Sequence, residues 1–274
     1  MAKINPLPPK FEDSGNCDVG NENSDLFDDL SDTSDNDSFL DECVAQTPAY
    51  LRYMLSQTSS SDNFTACSKS VFGFVLLADI SGFTRLSSVL EVESLKYHIN
   101  HFFTRLLDTV EEYNGDAVKL CGDAILIIWT TSSSSSRSVK EERGMQACQC
   151  GIELLNRCGN YQDFSGPSPV SLKLHCGMSA GELHCMCLGN NDRMEFLISG
   201  AQLKDMGLAE SEASAGEFCI SAFAYSFIEK SVPFVATSMG NYLYGGEATA
   251  TQTNTESLLG RFSSFHMNGS LSRN

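Results

Sequence analysis

Seven apolar residues in a row, Phe72-Gly73-Phe74-Val75-Leu76-Leu77-Ala78, run directly into an aspartate, Asp79. A strand with one wet face alternates apolar and polar residues, whereas a run that is apolar at every position must be covered on both faces. The chain therefore needs a central strand with structure layered on either side, and it places a carboxylate at the end of that strand.

The residues that follow supply the layers. Ser81-Gly82-Phe83-Thr84 turns the chain. From Glu91 to Tyr113 the apolar residues Leu95, Ile99, Phe102, Leu106, Val110 and Tyr113 recur every three or four positions, which predicts an amphipathic helix closed by Asn114-Gly115. Asp116–Cys121 and Ala124–Trp129 flank Gly122-Asp123 as the two arms of a hairpin. A second helix is expected from about Val139 to Arg157, using Met145, Cys148, Ile152 and Leu155. A strand is expected over Val170–Ser179, then two more at Gly181–Leu188 and Arg193–Ile198 around an Asn190-Asn191 turn. Gly200–Ala213 reads as a helix, and Glu217–Ala222 as a short strand leading into another. This order predicts an α+β, ferredoxin-like split βαβ fold.

Around it, residues 1–46 form an acidic tail too poor in apolar surface to order itself. Residues 47–70 are read as a short helix, with Tyr50, Leu51 and Met54 on one face, and a polar linker from Gln57 to Asn63. The folded domain is expected over 71–232, and 233–274 as a C-terminal extension, largely disordered at its end. Within residues 1–45 twelve acidic side chains face only Lys3 and Lys10, so most of the net charge of −17 belongs to the tail. That charge argues against nucleic acid or an anionic membrane as a partner. No apolar run is long enough for a transmembrane segment, and the first residues do not read as a secretion signal. Eleven cysteines, several inside apolar runs, suit buried thiols in a reducing compartment, so a cytoplasmic location is expected. His98 and His101, three apart on the long helix, read as surface residues. Cys185 and Cys187 share a strand face, which reads as packing, and neither they nor Cys148 and Cys150 have zinc spacing.

In a split βαβ topology the first strand lies beside the hairpin, which puts Asp79 and Asp123 at one rim of the sheet. Singly, each has an ordinary explanation: an aspartate after a strand is often a helix cap, and Gly-Asp is a common turn. Together, two carboxylates that repel one another are best explained by a divalent cation, Mg²⁺ or Mn²⁺, completed by phosphate oxygens. The backbone N–H groups from Ile80 through Ser81, Gly82 and Phe83 to Thr84 are placed to cradle a triphosphate, and the Ile80 carbonyl is a further candidate metal ligand.

Asp79-Ile80-Ser81-Gly82-Phe83-Thr84, followed after a helix by Lys119-Leu120-Cys121-Gly122-Asp123-Ala124, resembles a class III adenylyl/guanylyl cyclase catalytic domain. The wording is closest to the first cyclase domain of the soluble, bicarbonate-responsive adenylyl cyclases. Leu174-His175-Cys176-Gly177-Met178-Ser179-Ala180-Gly181 resembles a later strand and turn of that family, and the Pro48–Leu55 helix a segment that precedes its domain. The resemblance implies two metal ions on Asp79 and Asp123, ATP as substrate, cyclic AMP and pyrophosphate as products, and a second cyclase domain, in trans or in a longer form of the chain, to complete the site. Lys119 matches a position that reads adenine, or that holds bicarbonate in soluble cyclases; a solvent-facing strand lysine is the plain alternative.

Several positions depart from the pattern. Where the family's transition-state Asn and Arg are expected, this chain has Lys204 and Leu208, with Gly207 beside them, and the second base-reading position falls at Leu197. The arginine that would accompany Lys119 at bicarbonate also falls at Gly207. The expectation is a metal-binding half-site that needs a partner domain. The competing reading is a nucleotide-binding pseudo-cyclase acting as a regulatory dimerisation module.

Overall fold

The apolar run lies within β1 (Cys67–Ser81), which sits inside a sheet of nine strands among the described residues. The computed structural model describes residues 47–56, 66–163, 170–189 and 193–245. The acidic tail, the Gln57–Asn63 linker, the Asn190-Asn191 turn and the Ser/Thr-rich end lie outside the described residues. Chain order continues through α2 (Phe83–Val89), α3 (Val92–Glu112), the hairpin strands β2 (Asp116–Cys121) and β3 (Ala124–Thr131), and α4 (Arg137–Cys158), all preceded by α1 (Ala49–Ser56). Next come β4 (Asn160–Asp163), β5 (Val170–Gly189), β6 (Met194–Ser199), α5 (Ala201–Glu212), β7 (Phe218–Ile220), α6 (Ala222–Tyr225), β8 (Phe234–Ala236) and β9 (Tyr242–Tyr244). The strand order is β2-β3-β1-β5-β7-β9-β8, with β4 and β6 attached to β5. The first four of these strands, with the helices α3 and α4, make the expected split βαβ unit.

β1 explains why both of its faces are apolar. Phe72, Phe74, Leu76, Ala78 and Ile80 point into a core with Phe102, Leu106 and Val110 of α3 and Ala147, Cys148 and Leu154 of α4. The alternate residues Val71 and Val75 enter a second core on the opposite face, with Tyr50 and Met54 of α1 and Met206 of α5. Phe74, Val75 and Leu76 are fully buried, and each such side chain contributes on the order of 1.5–3 kcal/mol of transfer free energy.

Four expectations need correction. β1 starts at Cys67 rather than near Val71, because its first residues pair with β5 up to Cys67 opposite Cys187. The separate strands expected over Val170–Ser179 and Gly181–Leu188 are one twenty-residue strand, β5, which follows β1 along its whole length. The sheet continues past residue 232, since β8 and β9 add to its edge beyond β7. His98 is buried rather than at the surface, with His98 and His101 Nδ1 lying 3.3 and 3.1 Å from the Tyr161 hydroxyl. The buried cysteines, Cys185 and Cys187 among them, are free thiols, and burial pushes that of Cys148 up to about 12. Among the described residues no helix is long and apolar enough to cross a membrane.

α1 is fastened from a distance. Asp116, at the start of β2, accepts hydrogen bonds from the backbone N–H groups of Ala49 and Tyr50 at 3.0 and 2.8 Å, so it caps a helix more than sixty residues away. Burial holds the Asp116 carboxyl above its ordinary value, outweighing the lowering effect of those two hydrogen bonds and of Arg52. A raised folded-state pKa means that the folded protein holds this proton more tightly than the unfolded chain. The part of the group's contribution that is linked to protonation is therefore full below the ordinary carboxylate range and is lost as pH rises through the folded value, leaving the two capping hydrogen bonds at neutral pH. Asp116→Ala is expected to cost about 1–2 kcal/mol at neutral pH. The difference from the parent should widen as pH falls toward 4, as read by denaturant unfolding across pH.

Candidate metal and nucleotide site

Asp79 is set by strand alternation. Because Ala78 and Ile80 face the α3–α4 core, Asp79 faces the other side of the sheet, the side covered by α1 and α5. One neighbouring strand, β3, places Ala124 directly opposite it, and Asp123 precedes Ala124 in the hairpin turn. The two predicted carboxylates therefore lie at one rim of the sheet, Asp79 on β1 and Asp123 in the turn that enters β3, both half-buried. On its other side, β5 places His175 directly opposite Asp79.

That second neighbour makes the densest group of ligand-type side chains. His175 Nε2 lies 3.4 Å from Asp79 Oδ2 and 2.7 Å from Glu210 Oε1, and its Nδ1 shares a hydrogen bond of 3.2 Å with the Ser81 hydroxyl. The side chains of Asp79, His175 and Glu210 are 29%, 14% and 20% exposed, so the cluster is sheltered but reachable. One ligand atom from each lies within 4.8 Å of the others, and among the described residues no other three metal-type side chains meet this way. Asp123 is outside that cluster. An imidazole nitrogen and carboxylate oxygens are donors for a divalent cation, so the residues fit the group that the sequence implies.

Glu210 reaches His175 because α5 lies against the strand. Met206 of α5 packs into the core beneath, and one turn later Glu210 arrives over Gly177, where even a Cβ would stand 2.4 Å from the Glu210 backbone nitrogen. Only glycine permits that approach. Beside the cluster, β1 ends at Ser81, Gly82 holds φ 100°, and α2 begins at Phe83 with Gly82 and Thr84 exposed. The first N–H groups of α2 precede its first internal bond, Leu86 N–H to the Gly82 carbonyl, and so point outward unpaired within the helix.

Lys119 is exposed on the edge strand β2, next to a bulge and opposite Leu126, with β3 between it and β1. Lys204 and Leu208 are exposed one turn apart on α5; Gly207 has open space around it, and Leu197 is half-buried on β6. The functional candidates that sequence reasoning missed are His175 and Glu210. Their one local signal is the alternation of Leu172, Leu174 and Cys176, which puts His175 on the face opposite those three.

The family model for the adenylate and guanylate cyclase catalytic domain matches residues 72–254. Adenylate cyclase type 10 of Oryctolagus cuniculus is 22% identical over 168 residues, and that of Homo sapiens 22% over 172; each match covers 58% of this chain and 10% of the relative. The chain thus spans about a tenth of the length of these relatives. Among solved structures, the adenylyl cyclase CyaB from P. aeruginosa superposes with a TM-score of 0.53 at 23% identity, covering 65% of this chain and 94% of that one. The guanylyl cyclase domain of the RhoGC fusion protein from Blastocladiella emersonii gives 0.53 at 19%, covering 65% and 98%. The guanylate cyclase domain of RhGC from Catenaria anguillulae, in complex with GTP, gives 0.54 at 17%, covering 64% and 95%. At these identities the structural likenesses establish the fold, and they span both adenylyl and guanylyl cyclases.

Proposed function

Because the chain belongs to the family of adenylate and guanylate cyclase catalytic domains, we propose that it supplies the metal-binding half of an adenylate cyclase site, converting ATP to cyclic AMP and pyrophosphate with a second cyclase domain. The observation that carries this reading is the placement of Asp79 on the central strand beside the Asp123 turn, next to the exposed start of α2. Mg²⁺ or Mn²⁺, two ions in this reading, would lower the pKa of the ribose 3′-hydroxyl and offset charge on the departing pyrophosphate.

The chain's own residues do the holding. Asp79 and Asp123, with the Ile80 carbonyl, supply hard oxygen ligands. The backbone from Ser81 through Gly82 and Phe83 to Thr84 offers N–H groups to the triphosphate. Lys119, on the exposed edge, is the residue for adenine or bicarbonate. The resemblance to soluble adenylyl cyclases, carried by the residues around Asp79 and Asp123 and by the type 10 relatives, favours ATP over GTP. Lys204 and Leu208 face outward where a partner's site would need an amide and a guanidinium. Losing one such charge-stabilising donor costs about 10²–10³ in rate, so the chain alone is expected to turn over little.

The purified chain is to be incubated with Mn²⁺ and ATP or GTP, alone and mixed with a complementary cyclase domain. Cyclic AMP formed only in the mixture supports the half-site. Cyclic GMP formed from GTP instead overturns the substrate, and no product from any mixture, with nucleotide still bound, leaves a pseudo-cyclase that regulates by dimerising.

A further inference from the structure

Asp79 has a strand on each side, and the two sides differ in chemistry. Toward β3 lies the hairpin with Asp123; toward β5 lie His175 and, from α5, Glu210. We propose that Asp79, His175 and Glu210 form a site for a first-row transition-metal dication, taken in preference to Mg²⁺, on the β5 side of Asp79. The proposal rests on the reading of Asp79 as a metal ligand in the proposed function, and it adds to that reading a selectivity that two carboxylates alone would not confer.

The spacing suits an ion. Donors bound about 2.1 Å from a cation stand roughly 3.0–3.4 Å from one another. Asp79 Oδ2 and His175 Nε2 are already 3.4 Å apart. His175 Nε2 and Glu210 Oε1, at 2.7 Å, are a few tenths of an ångström closer, at hydrogen-bond distance. Replacing that hydrogen bond by a cation needs an opening of a few tenths of an ångström. The three donors come from β1, β5 and α5, so each is held by a separate element.

The donor types set the preference. Mg²⁺ takes oxygen ligands in a strict octahedron and gives up its waters reluctantly. An imidazole nitrogen adds little for Mg²⁺ and more for transition metals, whose affinity for such a site is lowest for Mn²⁺ and rises along the series. Ser81, on the far nitrogen of the ring, supplies the outer hydrogen bond that orients a ligating histidine. Mn²⁺ is thus the most demanding probe, and unlike zinc it has little attraction for this chain's thiols.

Mn²⁺ is to be titrated into the whole chain, without nucleotide, by the loss of the free ion's paramagnetic resonance signal, with and without a large excess of Mg²⁺. One Mn²⁺ should stay bound against Mg²⁺. Its affinity should fall at least about 10–100-fold in His175→Gln and Glu210→Gln and remain in Glu93→Gln, an exposed carboxylate on α3. His175→Lys guards against misfolding, since it offers Glu210 a hydrogen-bond donor while removing the imidazole ligand; it should unfold like the parent and still lose the Mn²⁺. Mn²⁺ binding indifferent to both His175 variants, or displaced as readily by Mg²⁺, would mean that the three residues are only an ion-pair network. Cyclic AMP formation with a complementary domain is scored separately, so the site and the cyclase reading fail independently.

Discussion

Asp79→Ala is expected to abolish cyclic AMP formation by the chain mixed with a complementary cyclase domain, a loss of at least about 10³-fold, while leaving the fold intact. A bound cation contributes several kcal/mol of charge stabilisation in phosphoryl chemistry, and each 1.4 kcal/mol or so is a factor of ten in rate. Asp79 is the carboxylate common to both neighbouring strands, opposite Ala124 on one side and His175 on the other. Its side chain is 29% exposed, so truncation leaves no large cavity. Asp79→Asn is the stricter form, because it keeps the shape and an oxygen for His175 and removes only the charge. Full turnover by Asp79→Asn, measured beside an unchanged unfolding midpoint, would remove the carboxylate from the mechanism.

Gly177→Val is expected to lower stability by about 2–3 kcal/mol, the upper part of the range for overpacking, and to lower the melting temperature by roughly 5–10 °C. Gly177 sits in β5 between Leu77 of β1 and Cys219 of β7, so the strand cannot yield easily. A Cβ there would stand 2.4–2.5 Å from the backbone nitrogen, Cα and Cβ of Glu210. The helix backbone has to move, and Glu210 moves with it. The Mn²⁺ site should therefore be lost together with the stability, whereas an overpacked position elsewhere in the core would spare it. A Gly177→Val variant as stable as the parent would show that α5 is not seated on β5 in this way.

The candidate site was legible in part. Asp79 and Asp123 stood out because each ends or turns a locally recognisable element, and the expected topology brought their strands together. His175 and Glu210 did not: strand alternation gives His175 its face, but nothing beside either residue in the chain marks it as a ligand. His175 matters only because β5 pairs with β1 in the register that sets it opposite Asp79, and Glu210 because a glycine 33 residues earlier lets its helix close in. The departures at Lys204 and Leu208 were readable as residue types; their exposure on the outer side of α5 was not.

The amino-acid pattern by itself determined the doubly covered strand, the two long helices, the hairpin and the βαββαβ order, because each is encoded by a periodicity within one element that follows directly from which side is dry. The tertiary structure decided the rest. The pairing of β5 with β1 over fifteen residues merged two expected strands into one. The packing of Tyr161 against α3 drew His98 inside, and Asp116 became the cap of a helix far upstream. Each of these depends on contacts between residues tens of positions apart. Such contacts are selected by the free energy of the whole assembly, and no local spacing in the chain records them.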